Sequence, residues 1–161
     1  MIEVKQGELE RFAALLKEHE IAALIARHKP QPFGVRFDVQ RLDHSSLAAS
    51  FPRMSTEGPY FITLSPLLLD WGLTDRVAFS TIILHELGHV IDRVRNWKRY
   101  FSINPLSYPE GLEYEADDFV VACGWGDGLI ETLRRAIACQ REHAMPGGMA
   151  SKRLLRLSRA V

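Results

Sequence analysis

Apolar residues in the first part of the chain recur three or four positions apart, at Leu9, Phe12, Ala13, Leu16, Ile21, Leu24 and Ile25. This periodicity predicts one amphipathic helix over residues 8–28, which Lys29 and Pro30 end. The pattern then changes to alternation, because Val35, Phe37 and Val39 are separated by polar residues. Alternation of this kind is typical of a half-buried strand. Residues 46–51 and 60–64 are predicted as two further short strands.

Helical periodicity returns after Leu67 and continues through most of the remaining chain. Thr74 or Asp75 can cap a helix that runs to about Arg95. Pro109 suits the first turn of the next helix, which the Gly-Trp-Gly sequence at 124–126 ends. A fourth helix follows over about 127–145. The patterns together predict a single α+β domain, residues 1–161, with about four helices, a small three-stranded sheet and a basic tail at 149–161.

Composition narrows the classes of function. The 161 residues include 20 basic and 20 acidic side chains, so no net field favours nucleic acid as a partner. The longest apolar runs are well short of the roughly 18 residues that a membrane span needs. The first residues do not resemble a signal peptide, and two cysteines are too few for a disulfide framework. We therefore expect a cytoplasmic protein with no membrane span.

The strongest chemical signal is the pentapeptide His85-Glu86-Leu87-Gly88-His89, which fits His-Glu-x-x-His within a predicted helix. Histidines at i and i+4 lie on one helix face, where both can bind one tetrahedral Zn²⁺. Zinc lowers the pKa of its bound water towards ~7, and Glu86 is placed to accept the proton as general base. The competing interpretation is a helix with two surface histidines.

A catalytic zinc site needs a third protein ligand. One common extension of the motif places Gly and His where this chain has Asp92 and Arg95, so that route is closed. Glu113 and Asp117 lie one helical turn apart in the acidic run that follows. One of the two can bind zinc while the other accepts a hydrogen bond from a ligating imidazole. The alternative is that this acidic run forms a solvated helix face.

The two motifs together resemble the gluzincin signature HExxH…ExxAD, found in CAAX prenyl proteases, a bacterial heat-shock membrane protease and the soluble one-domain minigluzincins. The resemblance implies a zincin-like fold and a zinc-dependent endopeptidase that cleaves a peptide or protein substrate. It also implies that His85, His89 and Glu113 bind Zn²⁺ and that Asp117 supports a ligand. In this family a sheet edge receives the substrate, and the matching strand here is Tyr60, Phe61, Ile62, Thr63 and Leu64.

The same family has a His-Pro element, followed by an arginine and spaced leucines, after its later helices. His143, Pro146 and Arg153 resemble this element loosely. The resemblance implies that His143 donates a hydrogen bond to the oxyanion of the tetrahedral intermediate. Tyr114 and Tyr108 are rival donors, and a surface histidine at a helix end is the alternative.

Three other functions stay open at this stage. The chain also resembles, less well, zincins that cleave a repressor of a mobile element. It can be a metal-stabilised binding module without turnover, or a latent enzyme restrained by the tail at 149–161 or by a second copy in a homodimer. Arg93, Arg95, Lys98 and Arg99 form a basic cluster after the HExxH helix. Such a cluster either matches the helix dipole or recognises an acidic partner.

Overall fold

The computed structural model describes residues 6–28, 35–39, 48–50, 60–100, 103, 109–142 and 148–159. Its helices are α1 (Gln6–Glu18), α2 (Ile21–His28), α3 (Pro66–Thr74), α4 (Arg76–Arg95), α5 (Trp97–Tyr100), α6 (Glu110–Ala122), α7 (Gly126–Glu142) and α8 (Met149–Arg159). Its strands are β1 (Val35–Val39), β2 (Ala48–Ser50) and β3 (Tyr60–Leu64).

The expected α+β fold with about four helices is wrong, because the described part of the chain contains eight helices and is predominantly helical. The helix expected at 8–28 is two helices, joined at His19 and Glu20. Glu20 adopts a left-handed conformation with φ 53°, and the imidazole of His19 donates from Nε2 to the carbonyl oxygen of Gly72 at 3.0 Å. The helices α3, α5 and α8 account for the other additions.

The sheet is small and has the strand order β1-β3-β2. Strand β3 pairs in parallel with β1, and three residues of β2 add to its other side in antiparallel orientation. Tyr60–Leu64 is therefore the central strand, and its assignment as the substrate edge strand is wrong. β1 pairs with all five residues and β2 with residues 62–64, so this part of the strand has no free edge for strand addition of a peptide.

Helix α4 runs through the centre of the fold, and fifteen of its twenty residues are buried. Asp75 caps its N-terminus by accepting a hydrogen bond from the backbone N–H of Ala78 at 2.9 Å. Burial raises the pKa of Asp75, but this hydrogen bond and the Arg135 guanidinium outweigh burial and lower it. Of the two caps proposed from the sequence, Asp75 is the one that the structure shows; the Thr74 hydroxyl instead accepts from Arg135 and donates to the Asp70 carbonyl oxygen. The cap fixes where the HExxH helix begins.

The apolar core surrounds α4 on several sides. Its largest fully buried side chains include Phe12, Ile62, Phe79, Leu84 and Leu87, which belong to α1, β3 and α4. No helix within the described ranges is both long enough and apolar enough to cross a bilayer. Burial on every side holds the central helix, and thus the HExxH residues, in one position.

Candidate metal centre

The site is built on the close approach of α4 and α6. A Cβ atom added to Gly88 would lie only 3.2 Å from the Ala116 Cα and 3.2 Å from Phe119 Cδ1. These distances are shorter than the optimal carbon–carbon separation of about 3.5–4.0 Å. The two small residues thus allow the helix backbones to meet. This contact brings the carboxylates of α6 against the histidines of α4.

His85, His89 and Glu113 converge on one point. The two oxygens of Glu113 are shared between the histidines, with Oε2 3.3 Å from His85 Nε2 and Oε1 3.2 Å from His89 Nε2. One ligand atom from each of the three residues lies within 4.8 Å of the others. The expected HExxH pair and the acidic residue 28 positions beyond His85 are therefore brought together by the fold.

The spacing of these donor atoms fits a small tetrahedral cation. Ligand atoms around a tetrahedral zinc with bonds of about 2.0–2.1 Å lie about 3.3 Å apart. Each histidine Nε2 lies at about this edge length from one oxygen of Glu113, at 3.3 Å from Oε2 for His85 and at 3.2 Å from Oε1 for His89. Two imidazole nitrogens and one carboxylate oxygen are also a donor set that zinc accepts at catalytic sites. The chemistry and spacing of these residues therefore fit Zn²⁺.

Asp117 orients the first histidine. Its Oδ1 accepts a hydrogen bond from His85 Nδ1 at 3.0 Å, and its side chain is 1% exposed. This bond keeps the proton on Nδ1 and leaves Nε2 free to face Glu113 and a metal. The structure thus distributes the two roles that the sequence had left open between Glu113 and Asp117. Glu113 faces both histidines, whereas Asp117 supports one of them from behind.

Arg153 on α8, which the loose family match named without assigning it a contact, joins the same network. It donates to Asp117 from Nε at 2.9 Å and from Nη2 at 2.6 Å, and from Nη1 to Glu113 at 3.2 Å. The guanidinium reaches the site from the Nδ1 side of His85, away from Nε2. Arg153 therefore holds both carboxylates of α6 in place from behind the candidate metal position.

The charges in the site favour a cation at the imidazole nitrogens. Burial and Arg153 lower the pKa of His85, but its contacts with Asp117 and Glu113 outweigh them and raise it to about 9. Burial raises the pKa of Glu113, while the two histidines outweigh burial and lower it. Metal binding needs the neutral imidazole, so a cation at Nε2 would displace a proton, and the carboxylates that favour the proton would favour the cation in its place.

The acidic run on α6 is a solvated face only in part, because Glu110, Glu115 and Asp118 are exposed while Glu113 and Asp117 are turned to the histidines. Its five carboxylates all have basic or imidazole partners, namely Glu110 with Lys152, Glu113 with His85 and His89, Glu115 with Arg99, Asp117 with Arg153 and Asp118 with Arg156. Three of these partners lie on α8, within the expected basic tail. The opposite charges of the two segments were the sequence signal for this docking.

The other residues named from the sequence fall in different places. Glu86 is buried at 7% exposure, directly after His85 on α4. His143 and Tyr108 lie outside the described residues. The Tyr114 ring stacks under the Arg156 guanidinium, 5.0 Å from its centroid, and so faces α8 rather than the histidines. Tyr60–Leu64 is the central strand of the sheet rather than an edge strand.

Comparison with protein-family models, with curated proteins and with solved structures finds no match to this chain. The motifs and the geometry of the residues themselves are thus the basis for a functional proposal.

Proposed function

We propose that the chain is a zinc-dependent endopeptidase that uses His85, His89 and Glu113 as metal ligands. Its main support is the convergence of two Nε2 atoms and one carboxylate at the spacing of a tetrahedral zinc site. Three protein ligands leave a fourth position open, which distinguishes catalytic from structural zinc sites. Glu86, adjacent to the first ligand and buried, supplies the acid–base group that such a site requires.

Each residue then has a chemical role. Bound zinc would activate water and polarise the carbonyl of the scissile peptide bond. Glu86 accepts the proton from the attacking water and transfers it to the leaving amine. Asp117 keeps His85 in the tautomer that presents Nε2, and Arg153 fixes the carboxylates of Asp117 and Glu113.

The first experiment measures zinc content by elemental analysis of the purified chain and of His89→Ala. We expect about one zinc per wild-type chain and none in the variant, since removal of one of three ligands leaves an incomplete site. Absence of zinc from the wild-type chain after exposure to the metal would overturn the proposal.

The third ligand has a matched control on the same helix. Glu113→Ala removes a ligand and should weaken zinc binding by at least tenfold. Glu115→Ala lies two positions away and loses only an exposed ion pair with Arg99, so its zinc affinity should equal that of wild type. Equal zinc affinity of Glu113→Ala and wild type would show that the assignment of Glu113 is wrong.

Glu86→Gln separates metal binding from catalysis. The amide cannot accept the proton, so we expect the variant to retain zinc and to lose at least 10²-fold in kcat/KM on any peptide that wild type cleaves. A peptide library incubated with the zinc-loaded chain identifies that peptide. Hydrolysis by Glu86→Gln at the wild-type rate would exclude Glu86 as general base, and a library left intact by wild type would favour a metal-stabilised binding module.

A further inference from the structure

An exposed groove follows directly after the helix that carries the candidate metal ligands. It has a volume of about 470 Å³ and is lined by Arg95, Asn96, Trp97, Lys98 and Arg99. All five residues are exposed, and the lining contains three cations and no carboxylate. The indole of Trp97 is 42% exposed, although tryptophan is usually well buried unless it serves at an interface.

Not all of the cations that line this groove form ion pairs within the chain. Arg99 does, because its guanidinium donates to both oxygens of Glu115 at 2.7 and 3.0 Å and thereby connects α5 to α6. The Lys98 ammonium lies 5.8 Å from the centroid of the Trp97 ring. Within the described ranges Arg95 makes no ion pair. The groove therefore has a fixed wall at Arg99 and two cations available to a ligand.

The dipole of α4 does not explain this arrangement. Cations in the last turn of a helix are stabilised by its C-terminal partial charge, and Arg93 and Arg95 occupy that turn. Lys98 and Trp97 lie beyond the end of α4. An exposed aromatic ring beside two cations is instead the composition of a protein recognition surface, in which Trp and Arg are enriched.

We propose that this groove binds an acidic peptide segment, with carboxylates at Arg95 and Lys98 and an apolar side chain against Trp97. Two available cations match one or two carboxylates. A nucleic acid would need many phosphate contacts, and the chain has no excess of basic residues beyond the groove. Binding of an acidic segment at the groove does not depend on the proposed peptidase activity, whereas a preference for acidic substrates rests on it.

The position of the groove predicts where the acidic residues of a substrate lie. Arg95 is six residues after His89 on the same helix, about 9 Å along the helix axis and about 120° around it, so the two side chains lie more than about 9 Å apart. An extended peptide advances about 3.3–3.6 Å per residue. Acidic residues three to five positions from the cleaved bond therefore reach the groove.

The test of binding uses the full chain without added metal. A peptide with four consecutive glutamates is titrated by calorimetry and by tryptophan fluorescence, beside the same peptide with glutamines, inorganic phosphate and a short single-stranded oligonucleotide. We expect saturable binding of the glutamate peptide and at least tenfold weaker binding of the glutamine peptide. Tighter binding of phosphate or of the oligonucleotide, or no saturable binding, would overturn the proposal.

Matched variants separate the groove from net charge. The double variant Arg95→Gln, Lys98→Gln should weaken binding of the glutamate peptide at least fivefold. The control Lys17→Gln, Arg141→Gln removes the same charge from exposed residues in the last turns of α1 and α7 and should change it less than twofold. Circular dichroism and thermal melting confirm that both double variants fold. Equal weakening by both would show that only net charge matters.

Cleavage by the zinc-loaded chain then tests substrate choice. Peptides with glutamates three to five residues from the cleaved bond should show at least fivefold higher kcat/KM than their glutamine counterparts. The groove variant should lose this preference and keep its rate on the glutamine peptides. Binding without any cleavage would reject the peptidase proposal and leave acidic docking supported, whereas cleavage without an acidic preference would reject docking of substrate at the groove.

Discussion

The contact between Gly88 and Ala116 allows a prediction whose magnitude follows from the structure. The variant Gly88→Ala places a Cβ atom 3.2 Å from the Ala116 Cα and 3.3 Å from the Ala116 carbonyl oxygen. Backbone atoms cannot rotate away, so α4 and α6 must separate by a few tenths of an ångström. Overpacking of this kind costs about 1–3 kcal/mol. The better helix propensity of alanine offsets about 1 kcal/mol, so we expect a net loss of about 1 kcal/mol in the free energy of unfolding.

Separation of the helices also affects the candidate metal site. Glu113 lies one turn before Ala116 on α6, so a displacement at the contact changes the 3.2–3.3 Å spacing between Glu113 and the histidines. Changes that disturb the support of ligands typically cost 10–100-fold in metal affinity. We expect the zinc Kd of Gly88→Ala to rise about tenfold, measured by competition with a chromophoric chelator.

Gly111→Ala is the matched control, because it is the same change on α6 with no atom within 4 Å of the added Cβ. It should raise the free energy of unfolding by up to about 1 kcal/mol and leave the zinc Kd unchanged. Urea unfolding of the metal-free proteins measures the first quantity. The packing explanation would be refuted if Gly88→Ala stabilised the chain as much as Gly111→Ala and bound zinc as tightly as wild type.

Three further predictions concern single positions. Arg153→Gln should weaken zinc binding about tenfold, measured by chelator competition. Arg156→Gln loses only an exposed ion pair and should leave zinc binding unchanged. Equal effects of the two variants would contradict a specific role for Arg153. Glu20→Gly should raise the free energy of unfolding in urea by about 0.5–1 kcal/mol, because glycine adopts the left-handed conformation without strain. The control Glu18→Gly, within α1, should lower it by about 1 kcal/mol. Asp75→Ala should cost about 1–2 kcal/mol at neutral pH. Because the folded-state pKa of Asp75 is lowered, this difference should persist above about pH 4 and disappear as pH falls through the folded-state value; a difference independent of pH would contradict the cap.

Local patterns predicted the elements better than their arrangement. The strand that alternation predicted and the HExxH helix lie where the sequence patterns placed them, and β2 and β3 fall within the other two predicted ranges. The junction of α1 and α2 was missed because His19 and Glu20 are neither glycine nor proline and the apolar period continues across them. Strand order depends on contacts distant in sequence, which local patterns do not record. The nearly continuous apolar sequence of Tyr60–Leu64 was nevertheless a sign of a central strand.

In the candidate site, too, local features were predicted better than contacts between distant segments. The pair His85 and His89 follows from helix geometry alone, and the approach of Glu113 follows from a motif that spans two helices. Arg153 enters from a third helix, 36 residues beyond Asp117. The loose His-Pro resemblance named Arg153 without giving it a contact, and the opposite charges of α6 and α8 did not specify which side chains meet. Its role therefore needed the tertiary structure.

The long sequence separation within the site has a consequence for metal loading. Before α4, α6 and α8 have assembled, the chain offers an ion only the local histidine pair, and closing the 36-residue segment between Asp117 and Arg153 carries an entropic cost. Zinc should thus bind the folded chain far better than the unfolded one. By mass action a free zinc concentration of 100 times the Kd would add about 2.7 kcal/mol to the free energy of unfolding. The thermal stability of this protein would then report the zinc concentration of its surroundings.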